Sequence, residues 1–69
     1  MDPDDILYFE SDRLVREIKI FDVNGHLVHN SVPGSKKFEI NIQSLTQSVY
    51  FYQLKTEDNE ILKGRVIVL

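Results

Sequence analysis

Two histidines are the first candidates for chemistry, because imidazole is a common metal ligand and changes its charge near neutral pH. His26 and His29 are three residues apart. We expect both on one strand, where this spacing points them to opposite faces of the sheet, so that they cannot share a metal ion. We therefore expect surface or rim positions for both side chains.

Carboxylates lie close together at the start of the chain, at Asp2, Asp4 and Asp5. Oxygen ligands of this kind suit Ca²⁺, but a calcium-binding loop also needs a glycine and a later bidentate glutamate. No such loop follows, so we expect a solvated terminus. Serine, histidine and aspartate are present as well, yet no serine stands in the context of a nucleophile elbow. We predict that the chain is not an enzyme and has no metal site and no cofactor.

Aromatic residues offer a third chemistry, the stacking of sugar rings. The candidates for such a platform are Tyr8, Phe9, Tyr50, Phe51 and Tyr52. Tyr50 and Tyr52, however, alternate with Leu54 along one face of a predicted strand, which is typical of core positions. The core is therefore the favoured place for at least these two tyrosines.

Length and charge restrict the classes of function. A chain of 69 residues is expected to form one domain over residues 1–69 and to hide roughly 60% of its unfolded surface. The net charge is −3 with both signs interspersed, which argues against nucleic acid or anionic lipid as a partner. No apolar run approaches the roughly 20 residues that span a bilayer, so we expect a soluble chain.

The strongest strand signal is residues 48–55, where β-branched and aromatic side chains dominate. Tyr50, Tyr52 and Leu54 fall on one face of this strand, and we predict that this face looks into the core. A polar, turn-prone segment then leads into a last apolar run, residues 61–69. This pattern predicts a β-hairpin.

The length of the loop decides which residues of this hairpin meet. A two-residue loop would place Lys63 and Arg65 opposite core-facing side chains. A three-residue loop, with Asn59 in the left-handed conformation, puts both cations on the outer face, and we predict this loop. The pairs are then Leu54 with Leu62, Tyr52 with Gly64, Tyr50 with Val66, Gln53 with Lys63 and Phe51 with Arg65. Gly64 leaves room for the Tyr52 ring.

An earlier hairpin is predicted at residues 22–25, because Asp22 and Gly25 fit the first and fourth places of a type I turn. A two-residue Asn-Gly turn would set Ile20 against His29. A three-residue loop sets Ile20 against Val28 instead. We predict the longer loop, which also sets Phe21 against Leu27. Both hairpins then share one turn design, with Asp22, Gly25 and Asn59 as the structural turn residues.

Three further strands are predicted, at residues 6–10, 14–22 and 36–43. A polar connection at residues 11–13 separates the first two, and a type II turn at residues 32–35 uses the positive φ of Gly34. Leu45 is expected to plug one end of the core. The predicted core consists of Ile18, Ile20, Val28, Phe38, Ile40, Ile42, Tyr50, Tyr52, Leu54, Leu62 and Val66. The fold class is all-β, a small antiparallel immunoglobulin-like β-sandwich of about six to seven strands, with a small open barrel as the alternative.

The order of these segments resembles a known family. The resemblance is found in the hairpin 18–28, the strand 38–42, Leu45, the run 49–59 and the final run 62–67. Together they resemble the type A C-terminal sorting domain of the Bacteroidetes type IX secretion system, also called the Por secretion system. The family pattern has an "IYDLxGxLV" hairpin, a short strand, "L..GIYFVxIxTENG" and a basic, apolar last strand. The match covers nearly the whole chain.

Some positions depart from this pattern. Ser48 and Asn59 replace family glycines, and no lysine ends the chain. Asn59 keeps the turn, because asparagine tolerates the left-handed conformation. Asp2 and Pro3 resemble the start of the family pattern, so we expect either that the family's first strand is missing or that Met1 is not the native start.

The resemblance implies a sorting signal at the C-terminus of a larger precursor. Such a domain is read in the periplasm by the outer-membrane secretion translocon, and the cargo reaches the cell surface or the extracellular space. A sortase-like surface protease then typically removes the domain. We expect the translocon to recognise Lys63, Gly64, Arg65 and Val66 of the last strand.

Two expectations remain, one for an alternative function and one for self-association. The alternative function is a passive immunoglobulin-like or carbohydrate-binding accessory module of a bacterial surface protein. A passive immunoglobulin-like module of such proteins shares much of the same pattern. If the family's first strand is absent, a neighbouring strand exposes unpaired backbone groups, which predicts a homodimer formed through that strand edge.

Overall fold

The computed structural model describes residues 6–69, and Asp2, Pro3, Asp4 and Asp5, with the expectations placed on them, lie outside the described residues. The strands are β1 (Ile6–Phe21), β2 (Leu27–Ser31), β3 (Ser35–Asn41), β4 (Ser48–Thr56) and β5 (Ile61–Val68). They form one antiparallel sheet in the order β2-β1-β4-β5, with β3 also paired to β1. The all-β class is confirmed.

β1 is one continuous strand, so the prediction of two strands with a polar connection at residues 11–13 was wrong. Arg13 reaches the distant β4–β5 turn, where its Nη1 donates to Asp58 Oδ2 at 3.1 Å and to Glu60 Oε2 at 2.6 Å. These contacts hold the polar stretch in the extended conformation, and the described residues therefore have five strands.

β2 and β3 follow the same edge of β1, opposite the edge that pairs with β4. Gly34, between them, has the predicted positive φ, +60°. Its N–H donates to the carbonyl oxygen of Val15 at 2.9 Å, so the backbone stays bound to β1 across the gap. The segment 32–34 therefore bends the chain without reversing it, and β2 and β3 run in the same direction along β1.

The β4–β5 hairpin has the predicted register. Its pairs include Leu54 with Leu62, Tyr52 with Gly64, Tyr50 with Val66, Gln53 with Lys63 and Phe51 with Arg65. Asn59 has φ +63°, the left-handed conformation that the three-residue loop requires. The prediction of this hairpin is confirmed.

The β1–β2 hairpin is confirmed only next to its turn. Phe21 pairs with Leu27 as predicted, but Ile20 pairs with His29, because a β-bulge takes up Val28. Val28 is 37% exposed and is not among the buried core residues, so its predicted core position was wrong.

The core lies where the first half of β1 and β3 pack over β4 and β5. Its buried apolar residues are Val15, Ile18, Ile20, Ile40, Ile42, Tyr50 and Leu54, with Leu7, Phe9, Phe38, Leu45, Tyr52, Val66 and Val68 packed against them. The Phe9 ring stacks on Phe38 at 5.1 Å between centroids and meets Tyr52 edge-on at 5.3 Å. Leu62, 38% exposed, is the other core prediction that was wrong. This packing of one sheet onto itself is compatible with the expected sandwich.

Candidate functional site

The sheet β2-β1-β4-β5 has an outer face, set by the alternation of side chains along each strand. Ile18, Ile20 and Leu54 are buried, so their direct neighbours on β1 and β4 point away from the core. Paired residues of antiparallel strands share a face. The outer face therefore consists of Glu17, Lys19, Phe21, Leu27, Asn30, Val49, Phe51, Gln53, Lys55, Ile61, Lys63, Arg65 and Ile67.

The four residues expected to contact the translocon divide between two faces of β5. Lys63 and Arg65 lie on the outer face and are exposed. Gly64 and Val66 are half-buried on the inner face, where Val66 packs against the core. Only the two cations therefore present side chains to a partner, while Gly64 and Val66 hold the strand in place.

Gly64 lies directly beneath the Tyr52 ring. A Cβ at position 64 would come within 2.7 Å of Tyr52 Cε2 and would overlap its Cζ and Oη atoms. The predicted role of Gly64, room for this ring, agrees with that geometry. Because Gly64 has no side chain, the backbone of β5 can approach the Tyr52 ring closely, and β5 can cover the core.

β5 is an edge strand among the described residues, since β4 is its only partner there. Its other edge presents backbone N–H and C=O groups that no described strand pairs. Such an edge is a template for another extended chain. The outer face and this edge adjoin along β5, so one partner can contact both.

Positive charge is concentrated on the outer face. Lys19, Lys55, Lys63 and Arg65 lie there with only one carboxylate, Glu17, although the whole chain has a net charge of −3. Within residues 6–69, only Lys19 of these four cations forms an ion pair, at 4.0 Å from Glu17. The sequence pattern places Lys19 and Lys55 on the outward faces of their strands, but only the two cations of β5 were predicted as site residues. The alternation of Glu17, Ile18, Lys19 and Ile20 was the signal for Lys19.

Apolar side chains occupy the end of the outer face next to the β1–β2 turn. Leu27 is 52% exposed, Phe51 46% and Ile67 63%, and Phe51 pairs with both Phe21 and Arg65. Solvent-exposed apolar groups beside cations are typical of binding surfaces, whereas singly scattered ones need no explanation. This face is suited to binding a partner.

The turn at Asp22 closes the β1–β2 hairpin. The N–H of Gly25, which has φ +84°, donates to the Asp22 carbonyl oxygen at 3.0 Å. The Asp22 side-chain Oδ1 accepts from the backbone N–H groups of His26 at 2.8 Å and Asn24 at 2.9 Å. These bonds, first of all the one from His26, lower the pKa of Asp22 below its ordinary value, because they stabilise the carboxylate.

The β4–β5 turn repeats this arrangement. Asn59 N–H donates to the Thr56 carbonyl oxygen at 2.9 Å, as Gly25 does to Asp22. Thr56, fully buried, accepts from the backbone N–H of Glu60 at 3.2 Å through its Oγ1. The side chain before each turn therefore caps the backbone of the residue that follows the loop.

The histidines occupy different environments. His26 lies in the turn and not on a strand, contrary to the expectation, with its Nδ1 3.4 Å from Asp22 Oδ2. His29 lies on β2, half-buried, with Nε2 3.2 Å from Ser31 Oγ. In the part of the chain that the structure describes, no three histidine or carboxylate side chains are placed to hold a metal ion.

The aromatic residues do not form one platform. Tyr50 is buried, and Phe9 and Tyr52 pack against each other. Tyr8 and Phe51 are exposed, but they point outward from different parts of the sheet, Tyr8 opposite Glu39 and Phe51 opposite Arg65. Residues 6–69 also contain no helix long and apolar enough to cross a membrane.

Comparison with known proteins gives one finding. No curated protein and no solved structure matches the chain significantly. Residues 3–68 match the model of the family described as "Secretion system C-terminal sorting domain", the type IX family that the sequence pattern resembles. The chain belongs to this family of secretion system C-terminal sorting domains.

Proposed function

We propose that this domain directs an attached cargo protein through the outer membrane by the type IX secretion system to the cell surface. The observation that supports this function is the family match over residues 3–68. A sorting domain of this family acts through the secretion machinery, and its precursor is exported to the cell surface or the extracellular space. The finer steps proposed are recognition by the outer-membrane translocon and later removal by a sortase-like surface protease.

Recognition takes place on the β4–β5 hairpin. Lys63 and Arg65 point to solvent from an edge strand, and no carboxylate among residues 6–69 pairs with either of them. Gly64 and Val66 act indirectly, because they seat β5 on Tyr52 and on the core. The translocon thus reads a surface whose shape depends on the folded hairpin, through side chains and a strand edge.

The first test is delivery of a reporter. The chain is fused behind a signal peptide and a reporter in a type IX secreting bacterium, and the reporter fraction accessible to external protease is measured in intact cells. We expect surface delivery with the domain and retention in the periplasm without it. Equal delivery with and without the domain would reject the sorting function and favour a passive accessory module.

Truncation tests the proposed place of recognition. Removing residues 63–69 leaves β4 without the partner that pairs with Ser48–Gln53 and exposes Tyr50 and Tyr52, so the reporter should stay in the periplasm. The double variant Lys63→Ala and Arg65→Ala keeps the fold, because both side chains are exposed. Reduced delivery of this folded variant would assign the recognition to these cations, and unchanged delivery would assign it to other parts of the hairpin.

A further inference from the structure

The charged side chains of this protein are distributed unevenly over its surface, which the net charge of −3 does not show. Among residues 6–69, four of the eight lysines and arginines lie on the outer face, with one of the eight aspartates and glutamates. The other described residues are therefore acidic, with four cations and seven carboxylates. A face with a surplus of cations attracts a negatively charged surface of similar size, and the attraction raises the rate of encounter.

Apolar side chains complete this face. Phe51 and Ile67 are exposed, and Phe51 pairs directly with Arg65 across β4 and β5. A partner that neutralises Arg65 therefore also covers the Phe51 ring. Aromatic and arginine side chains together are typical of the residues that contribute most to protein–protein affinity.

A second copy of the chain is a poor occupant of the β5 edge. Antiparallel neighbours share a face, so residues at odd positions of one β5 would meet residues at odd positions of the other. In the registers that pair most of the strand, Arg65 faces either Lys63 or the Arg65 of the second copy. Like charges placed directly opposite each other are destabilising, and cations on an edge are a known protection against self-pairing.

An anionic lipid surface is also a poor occupant. A membrane extends past the outer face and would repel the acidic remainder of the chain. Juxtaposed clusters of 4–8 cations are typical of lipid-binding segments, and each contributes about 1 kcal/mol. Here Glu17 lies among the cations, 4.0 Å from Lys19. A protein surface of limited extent can match the face without contacting the rest of the chain.

We propose that the outer face docks an acidic protein surface of the secretion machinery. Carboxylates of the partner meet Lys19, Lys55, Lys63 and Arg65, and an apolar side chain of the partner packs on Phe51. This inference rests on the proposed sorting function and adds to it the chemistry of the partner. It also widens the recognised surface from β5 to the neighbouring strands β1 and β4.

The test compares two charge reversals that change the net charge equally. The face variant is Lys63→Glu with Arg65→Glu, and the matched control is Lys36→Glu with Lys37→Glu on β3, where both lysines are also exposed. The probe is the detergent-solubilised outer-membrane translocon of a type IX secreting bacterium, and the Kd of the full chain is measured at low and high salt. We expect the face variant to bind at least tenfold more weakly and the control to stay within about twofold of the parent. Binding of the parent should weaken as salt increases.

Other outcomes would overturn the inference. If the face variant and the control bind the translocon as the parent does, the outer face is not the docking surface, while parental binding still supports the sorting function. If the parent itself fails to bind and the reporter reaches the surface without the domain, the sorting function fails. Face-dependent binding to phosphatidylglycerol vesicles in place of the translocon would identify a lipid partner, and face-dependent dimers in sedimentation would identify a second copy.

The neutral variant Lys63→Gln with Arg65→Gln removes the cations with little risk to the fold and should bind with intermediate affinity. Parental affinity of this folded neutral variant would also count against the inference.

Discussion

Gly64→Ala tests whether β5 is seated on the core through its contact with Tyr52. The added Cβ would come within 2.7 Å of Tyr52 Cε2, and contacts below 3.0 Å force a neighbour to move. The Tyr52 ring is held by Phe9, edge-on at 5.3 Å, so it has little room to retreat. Overpacking of this kind costs up to about 3 kcal/mol. Alanine loses about 0.5–1 kcal/mol less conformational entropy on folding than glycine does, so a net loss of up to about 2–2.5 kcal/mol is expected.

The assay is thermal unfolding followed by far-UV circular dichroism, with denaturant titration for the free energy of unfolding. For a domain of this size, about 1 kcal/mol lowers Tm by roughly 4–8 °C. Lys63→Ala, on the exposed side of the same strand, is the control and should stay within about 0.5 kcal/mol of the parent.

A double-mutant cycle isolates the contact between Gly64 and Tyr52. In a Tyr52→Val background the ring is gone, so Gly64→Ala should become neutral or slightly stabilising. If Gly64→Ala melts like the parent, or if its effect is the same in both backgrounds, β5 is not seated by this contact.

Two further predictions concern the core and the first turn. Ile40→Ala should lower the free energy of unfolding by about 2–5 kcal/mol, because Ile40 is 3% exposed within the core. Leu62→Ala, at the open edge of the sheet, should lower it by less than half as much. Equal losses for the two variants would refute the core assignment. Asp22→Asn should flatten the dependence of stability on acid pH. The folded pKa of Asp22 is lowered from 3.8, so its contribution is present above pH 3.8 and is lost as the pH falls through the lowered pKa. Asparagine keeps an acceptor oxygen but does not titrate, and denaturant unfolding across the acid range should show this; an unchanged pH profile would contradict it.

The β4–β5 hairpin could be predicted from the sequence because two signals agree there. Alternation places Tyr50, Tyr52 and Leu54 on one face, and Asn59 supplies the left-handed residue of the loop. Of the two loop lengths compared, only the three-residue loop keeps the cations of β5 out of the core. Where a turn residue and a hydrophobic pattern require the same register, local chemistry is sufficient.

The β1–β2 hairpin shows the opposite case. Its turn was predicted, yet the pairing beyond it was not, because β2 has no alternating apolar pattern that fixes the register. Leu27 and Val28 are adjacent, and a bulge at Val28 leaves Ile20 opposite His29. The strand is held by its backbone pairing more than by its side chains.

β1 differs from its prediction for reasons that lie far away in sequence. Arg13 is bound by carboxylates of the β4–β5 turn, which the local polar pattern cannot reveal. A register shift between Val15 and Glu17 leaves Arg16 as an extra residue. This shift turns Val15, at an odd position, to the same side as Ile18 and buries it completely. Strict alternation therefore missed one of the most buried residues of the core.

The candidate site was predicted in part. The outward direction of Lys63 and Arg65 followed from the hairpin register, as did the role of Gly64. The contribution of Lys19 and Lys55 depends on β1 lying beside β4, a long-range pairing that the sequence pattern did not predict. The side-chain directions of a hairpin strand can thus be predicted from nearby sequence, whereas a surface that spans several strands can be predicted only when the strand order is known.

The most direct test of the central claim is the fraction of a reporter that external protease can reach in intact type IX secreting cells. One reporter carries this chain at its C-terminus, and a second carries an unrelated β domain of similar size. We predict that most of the first reporter is accessible to protease and that the second remains in the periplasm. Equal accessibility of the two reporters would contradict the assignment of this domain as a sorting signal.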